Sequence, residues 1–184
     1  MAEQWYEIAV GRELHQGDIL FECPTIVPVF SGPRPDDLDA EVRICDLVVI
    51  TQTCDLVQSK VPSVLLCSLV RIRDAVEQVE ALRSWEIRKG LPAGRIPALH
   101  LLDEIRLQDA AELDTPFLVV DFSTPVSLPC EYVAQFAETK PRRPRLLPPY
   151  REHLSQAFAR YYMRVGLPSD IDPARLTNKA LELA

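Results

Sequence analysis

The 184 residues predict an α+β fold, mainly β: a small barrel or strongly curled sheet capped by helices. Three observations lead there. Sixteen prolines against six glycines cut the chain into short elements joined by stiff turns. Apolar runs of strand length recur through the first three quarters of the sequence. Only two stretches, after Asp74 and after Tyr150, repeat apolar residues at helical spacing. Hydrophobic residues at 47% and charged residues at 26% match a globular chain, long enough to form one domain with a core that needs no staples.

The elements follow in order. "DILFECP" begins after Gly17 as a strand and stops at Pro24, and "TIVPVF" extends it past a bend. Residues 31–41, "SGPRPDDLDAE", collect turn formers without periodicity and read as a surface loop. "VRICDLVVIT" is a long strand whose continuously apolar middle places it centrally, covered on both faces. "SVLLCSLVRI", residues 63–72, is a second such strand. The connection "QTCDLVQSKVP" is too long for a tight hairpin and forms an exposed polar loop.

From Asp74 to Gly90 a helix is expected, with Val76, Val79, Leu82 and Trp85 on one face. "GRIPALHLLD" and "IRLQDA" read as short strands, and "TPFLVVDFSTPVSL" as a strand pair or bent strand. Residues 138–149, proline-rich and basic, read as an extended linker. A terminal helix over 150–166 carries Leu154, Ala157, Phe158, Tyr161 and Tyr162, with Gly166-Leu167-Pro168 as its stop. The barrel thus takes 14–72 and 115–135, and 73–114 is a helical insertion.

Composition excludes several classes. A net charge of −7 argues against a general polyanion-binding surface. The N-terminus lacks the pattern of a signal peptide, and no run of about 18 apolar residues could span a membrane. The five cysteines, irregularly spaced and without a C-x-x-C, argue for reduced thiols in a cytosolic protein. They argue against a disulfide framework or a structural zinc site, and neither a metal nor a cofactor is expected.

Gly17-Asp18-Ile19-Leu20, the run from Leu47 to Thr51, "SVLLCSLV", "LVVDFSTPVSL" and the helix from Tyr150 to Arg164 succeed one another along the chain. In these segments it resembles the PemK/Kid/MazF ribonuclease toxins. The resemblance implies an SH3-like barrel with a C-terminal helix and a place in a bacterial toxin–antitoxin or defence-type system. The departures bear on chemistry. Those toxins carry Arg-Pro before the second strand, whereas Cys45-Asp46 stands here and Arg43 is not followed by proline. Ser68 is only a loose counterpart of their third-strand threonine. Gly17, Asp18 and Thr51 therefore carry over as fold positions, and no residue carries over as a ribonuclease catalyst.

Four sets of residues are candidates for a site. Cys54, with Gln52 and Asp55 beside it, is placed as a nucleophile at a strand end, but the Asp55 charge disfavours a thiolate. The other reading has these side chains satisfying loop backbone groups. His15 and Asp18 are an acid–base pair at the mouth of the first strand, or else parts of a turn around Gly17. Lys140, Arg142, Arg143, Arg145 and Arg151 either grip phosphates or meet the protein's own acidic surface. Tyr161, Tyr162 and Met163 face a partner or cap the barrel.

The functional expectation is a small binding or regulatory module. It would recognise a protein or RNA partner through the loop Gln52–Asp55 and the barrel groove, with homodimerisation a further option. An endoribonuclease with a rearranged site, using Asp18 or Asp55 as base, is the alternative, and a thiol-dependent enzyme using Cys54 comes third.

Overall fold

The structure, a computed structural model, describes residues 4–34 and 36–163. The chain is α+β and mainly β. Strand β1 (Tyr6–Ala9) comes first, followed by the long strands β2 (Ile19–Phe30) and β3 (Leu38–Val49). A short helix α1 (Thr53–Val57) leads to β4 (Ser63–Arg71). Then come helices α2 (Ile72–Gln78) and α3 (Trp85–Arg88), β5 (Leu99–Leu102), β6 (Leu118–Pro129) and α4 (Cys130–Thr139). Strand β7 (Arg143–Leu146) and helix α5 (Tyr150–Tyr162) complete the described chain. The terminal helix was expected over 150–166, and residues 164–166 lie outside the described residues.

Five strands form an antiparallel sheet in the order β2-β3-β4-β6-β5, which is not closed into a barrel. β1 and β7 form a separate antiparallel pair. That pair meets the head of β2 where the Leu146 amide donates to the Gly17 carbonyl at 3.0 Å and Asp18 bridges Arg145, and the Tyr6 hydroxyl donates to the Asp103 carbonyl beyond β5 at 2.8 Å. Gly17 makes the junction feasible. Its φ of +85° suits only glycine, and a Cβ there would sit 2.8 Å from the Cβ of Leu146.

The apolar run Leu47–Ile50 is central, as its composition requires. Val48 and Ile50 join the core beneath α5, while Leu47 and Val49 face the opposite core beneath α4, the alternation of a strand covered on both sides. A third small core, with Ala75, Leu82, Leu91 and Val119, lies under the insertion. Among the described residues no helix is long and apolar enough to cross a membrane.

Several expectations are corrected. The single helix over 74–90 breaks at Val79 and Ser84, both extended, into α2, a 3₁₀ turn over Glu80–Arg83 and α3. The break lets Leu82 bury completely while the Arg88 guanidinium bonds the carbonyls of Leu82 and Arg83. The linker over 138–149 is instead the end of α4 and β7, since an extended proline-containing segment can take a strand's backbone when its partner is a two-stranded ribbon. Residues 130–135, assigned to the barrel, begin α4, with Val133 and Ala137 one turn apart on its buried face.

The outer halves of β2 and β3 project beyond the helices as a ribbon. An irregularity between Leu20 and Cys23 shifts the register, with Glu22 at φ +56° and its amide held by Asp46 Oδ1 at 2.8 Å. Beyond it the directly opposed pairs Pro24–Ile44, Ile26–Val42, Pro28–Ala40 and Phe30–Leu38 share one face.

Candidate functional site

The Gln52–Asp55 loop is short and helical rather than open. Gln52 precedes α1, and the Thr53 hydroxyl accepts the Gln16 amide at 3.1 Å. Gln16 in turn donates its side-chain amide to the Ile50 carbonyl at 2.8 Å. The Thr51 hydroxyl accepts the Leu65 amide at 2.7 Å, which ties the strand end to β4. Cys54 is exposed, its Sγ 3.6 Å from Gln52 Oε1 and 3.7 Å from Asp55 Oδ1. Both neighbours are acceptors, and among the described residues no histidine is a partner of the thiol, so no general base stands beside it. Asp55 lies 4.0 Å from Lys60. A cleft of about 410 Å³ nevertheless gathers Gln52 and Cys54 with Arg151 across from them on α5.

Asp18 and His15 do not form an acid–base pair. Asp18 is completely buried and takes Arg143 Nε at 2.9 Å, both Nε and Nη2 of Arg145, and the His15 backbone amide at 3.1 Å. The His15 ring turns to Glu13 instead, at 2.6 Å. A carboxylate saturated by two guanidinium groups has no free lone pair directed at a substrate. The reading of Asp18 as a general base is corrected accordingly.

In the basic run the geometry favours the reading in which the cations meet the protein's own acidic groups. Arg143, 2% exposed, gives its remaining donors to the carbonyls of Gly11 and Glu13, and Arg145 also reaches Glu13. These two cations hold β7 against the head of β2 and present nothing to a phosphate. Lys140 sits 3.7 Å from Glu22, Arg142 2.8 Å from Glu112 and Arg151 2.7 Å from Glu152. Each candidate cation therefore has an anionic partner in its own chain. Tyr161 packs against the core beside Phe122, the Tyr162 hydroxyl donates to the Phe122 carbonyl at 2.8 Å, and Met163 is exposed. Among the described residues no group of three or more His, Cys, Asp or Glu could hold a metal ion.

A second cleft, of about 710 Å³, opens between residues 91–101, β6 and the opposite flank of α5. Its walls are apolar and aromatic. Trp5 stacks on Tyr150 with centroids 3.8 Å apart and planes 11° apart, closing one side, and Phe122 and Tyr161 form part of the other. Three polar groups converge inside. His100 projects from β5, while His153 and Arg160, seven residues apart on α5, share one helix face. The two imidazoles meet edge to face with centroids 5.1 Å apart. Among the described residues neither ring is hydrogen-bonded to protein. His100 is 6% exposed, and burial, then His153 and Arg160, push its pKa down to about 4. It is therefore a neutral imidazole at physiological pH, able to accept a hydrogen bond.

This constellation was not assembled from sequence. The only traces were a histidine set among buried leucines in "ALHLLD" and the His153/Arg160 spacing within an aromatic helix. The chain matches no protein-family model and no curated protein.

Proposed function

We propose that the protein is a binding module of a cytosolic bacterial toxin–antitoxin or defence-type system, and that it holds an unpaired nucleotide of an RNA strand in the cleft beneath α5. The observation that carries this reading is the cleft itself: aromatic walls around two unengaged imidazoles and the Arg160 guanidinium. Its volume suits one ligand-sized group, and stacking on aromatic side chains retains a base without regard to its identity. Arg160 supplies a counter-charge for one phosphate. The antiparallel order of β2, β3, β4 and β6, with a helix late in the chain, supports reading the fold as an opened form of the PemK-like SH3 barrel.

Fluorescence anisotropy with a labelled single-stranded RNA oligonucleotide tests the proposal. Arg160→Ala and His153→Ala are each expected to weaken binding about tenfold or more. The salt slope should be shallow, because one or two phosphates are neutralised. Equal affinity in wild type and both variants, or no binding by wild type, sinks it.

The imidazole pair supports a second reading, cleavage of the bound strand. His153 takes the proton of a ribose 2′-hydroxyl as its oxygen attacks the adjacent phosphorus, while neutral His100 accepts a hydrogen bond from the strand. The phosphorus–O5′ bond breaks, His153 returns that proton to the departing oxygen, and Arg160 offsets charge on the phosphorane. The products are a 2′,3′-cyclic phosphate and a 5′-hydroxyl. Cyclic-phosphate ends that form with wild type and vanish with His153→Ala at saturating RNA select cleavage. Binding without such ends rejects it.

A further inference from the structure

We propose that the apolar face of the β2–β3 ribbon is a homodimer contact, each copy laying this face on that of another about a two-fold axis. Ile26, Phe30, Leu38, Val42 and Ile44 occupy the face, and each is between 53% and 70% exposed. Large β-branched and aromatic side chains lined up in the open are costly, and a contiguous patch of this kind marks an interaction site.

The face is an extension of a buried row. Ile44 and Val48 lie on the same side of β3, yet Val48 is fully buried in the core beneath α5 while Ile44 is left in the open. Asp46, between them, holds the Glu22 amide and separates the covered part from the uncovered part. At the far end the turn carries Arg34 and Asp37, which pair with each other at 3.0 Å. An apolar centre bounded by polar groups at both ends has the anatomy of an interface.

A second copy is the occupant that fits. The face carries no charge, so nothing in it repels an identical face, and a two-fold axis needs one self-complementary patch. The reverse face of the ribbon differs, bearing Asp39, Glu41 and Arg43. The exposed area of the five side chains is on the order of 600 Å² per copy, so pairing removes about 1,200 Å², the lower limit of stable specific interfaces.

The test is sedimentation equilibrium of the full chain from 1 to 100 μM, on scales typical of moderate dimers. Wild type should be dimeric, and the pair Ile26→Lys with Val42→Lys should raise the dimer dissociation constant at least a hundredfold at unchanged circular dichroism. A two-fold axis through the centre of the face, between the pairs Ile26–Val42 and Pro28–Ala40, sets Val42 beside its own copy, so Val42→Cys in a Cys54→Ala background should cross-link on oxidation, whereas Val57→Cys should not. The cross-link keeps the test decisive even if the lysine pair misfolds. Monomeric wild type at every concentration overturns the proposal. So does a dimer indifferent to both lysines, and so does dimerisation lost only on removal of residues 164–184.

Discussion

Two polar clusters in this molecule both contain arginine and put it to opposite ends. Around Asp18, two arginines and several backbone groups satisfy one another, and the cluster is closed to solvent. Around His100, two imidazoles and an arginine converge on a cleft, and among the described residues none of the three is paired with a carboxylate, the Arg160 Nε donating only to the Gln156 carbonyl at 3.4 Å. Cations alone do not indicate a binding site. What separates the two clusters is whether the donors already have a buried carboxylate. The first is a tie between chain segments 125 residues or more apart, and the second lines an open cleft.

The sharpest way to break this comparison is Asp18→Ala. Removing the carboxylate leaves two guanidinium groups buried and uncompensated, which is expected to cost about 3–5 kcal/mol. Urea denaturation would measure it. A loss below about 1 kcal/mol, the size expected at an exposed pair, would erase the distinction.

Acid should discriminate the clusters next. Above pH 6.5, His100 is neutral both folded and unfolded and contributes no pH dependence. Between 6.5 and about 4 the unfolded chain binds its proton while the folded chain does not, so stability falls as pH falls through that window. The total is about 3 kcal/mol, and it should be absent from His100→Phe. Denaturation midpoints measured from pH 7 to 4 read it directly. Parallel curves for wild type and variant would show that His100 is not held neutral.

The smallest effect belongs to Cys54. It should react first with a thiol reagent, because burial raises Cys67 to about 12 and Cys23 to about 11. Cys54→Ala should nevertheless leave RNA binding within about twofold of wild type, since no general base stands beside the thiol. A larger loss would move the site to the α1 side of α5.

The strands legible in the sequence were those with a local reason to exist. Leu47–Ile50 and Leu118–Val120 are continuously apolar because they are covered on both faces, and that requirement is written in consecutive residues. β1 and β7 had no such signature. "RPRL" is a strand only because Tyr6–Ala9 lies beside it, and Arg143 is buried only because Asp18 waits there. The cleft was illegible for the same reason. Its residues come from positions 5, 100, 122, 150, 153 and 160, and no local spacing connects them. Helix α4 has ten residues, two of them buried, and begins at a proline without a side-chain cap, so its helical signal was faint. The ribbon's apolar face was present in the alternation of Pro24, Ile26, Pro28 and Phe30, but proline concealed it as turn chemistry.

The junction at Gly17–Asp18 has a temporal consequence. A ribosome releases Tyr6–Ala9 first, while the strand that will receive it emerges almost at the end of the described chain. Until then Asp18 has neither of its guanidinium partners, and Trp5 has no Tyr150 to lie against. The cleft beneath α5 is consequently incomplete during most of the chain's own synthesis, and its walls come together as one late event.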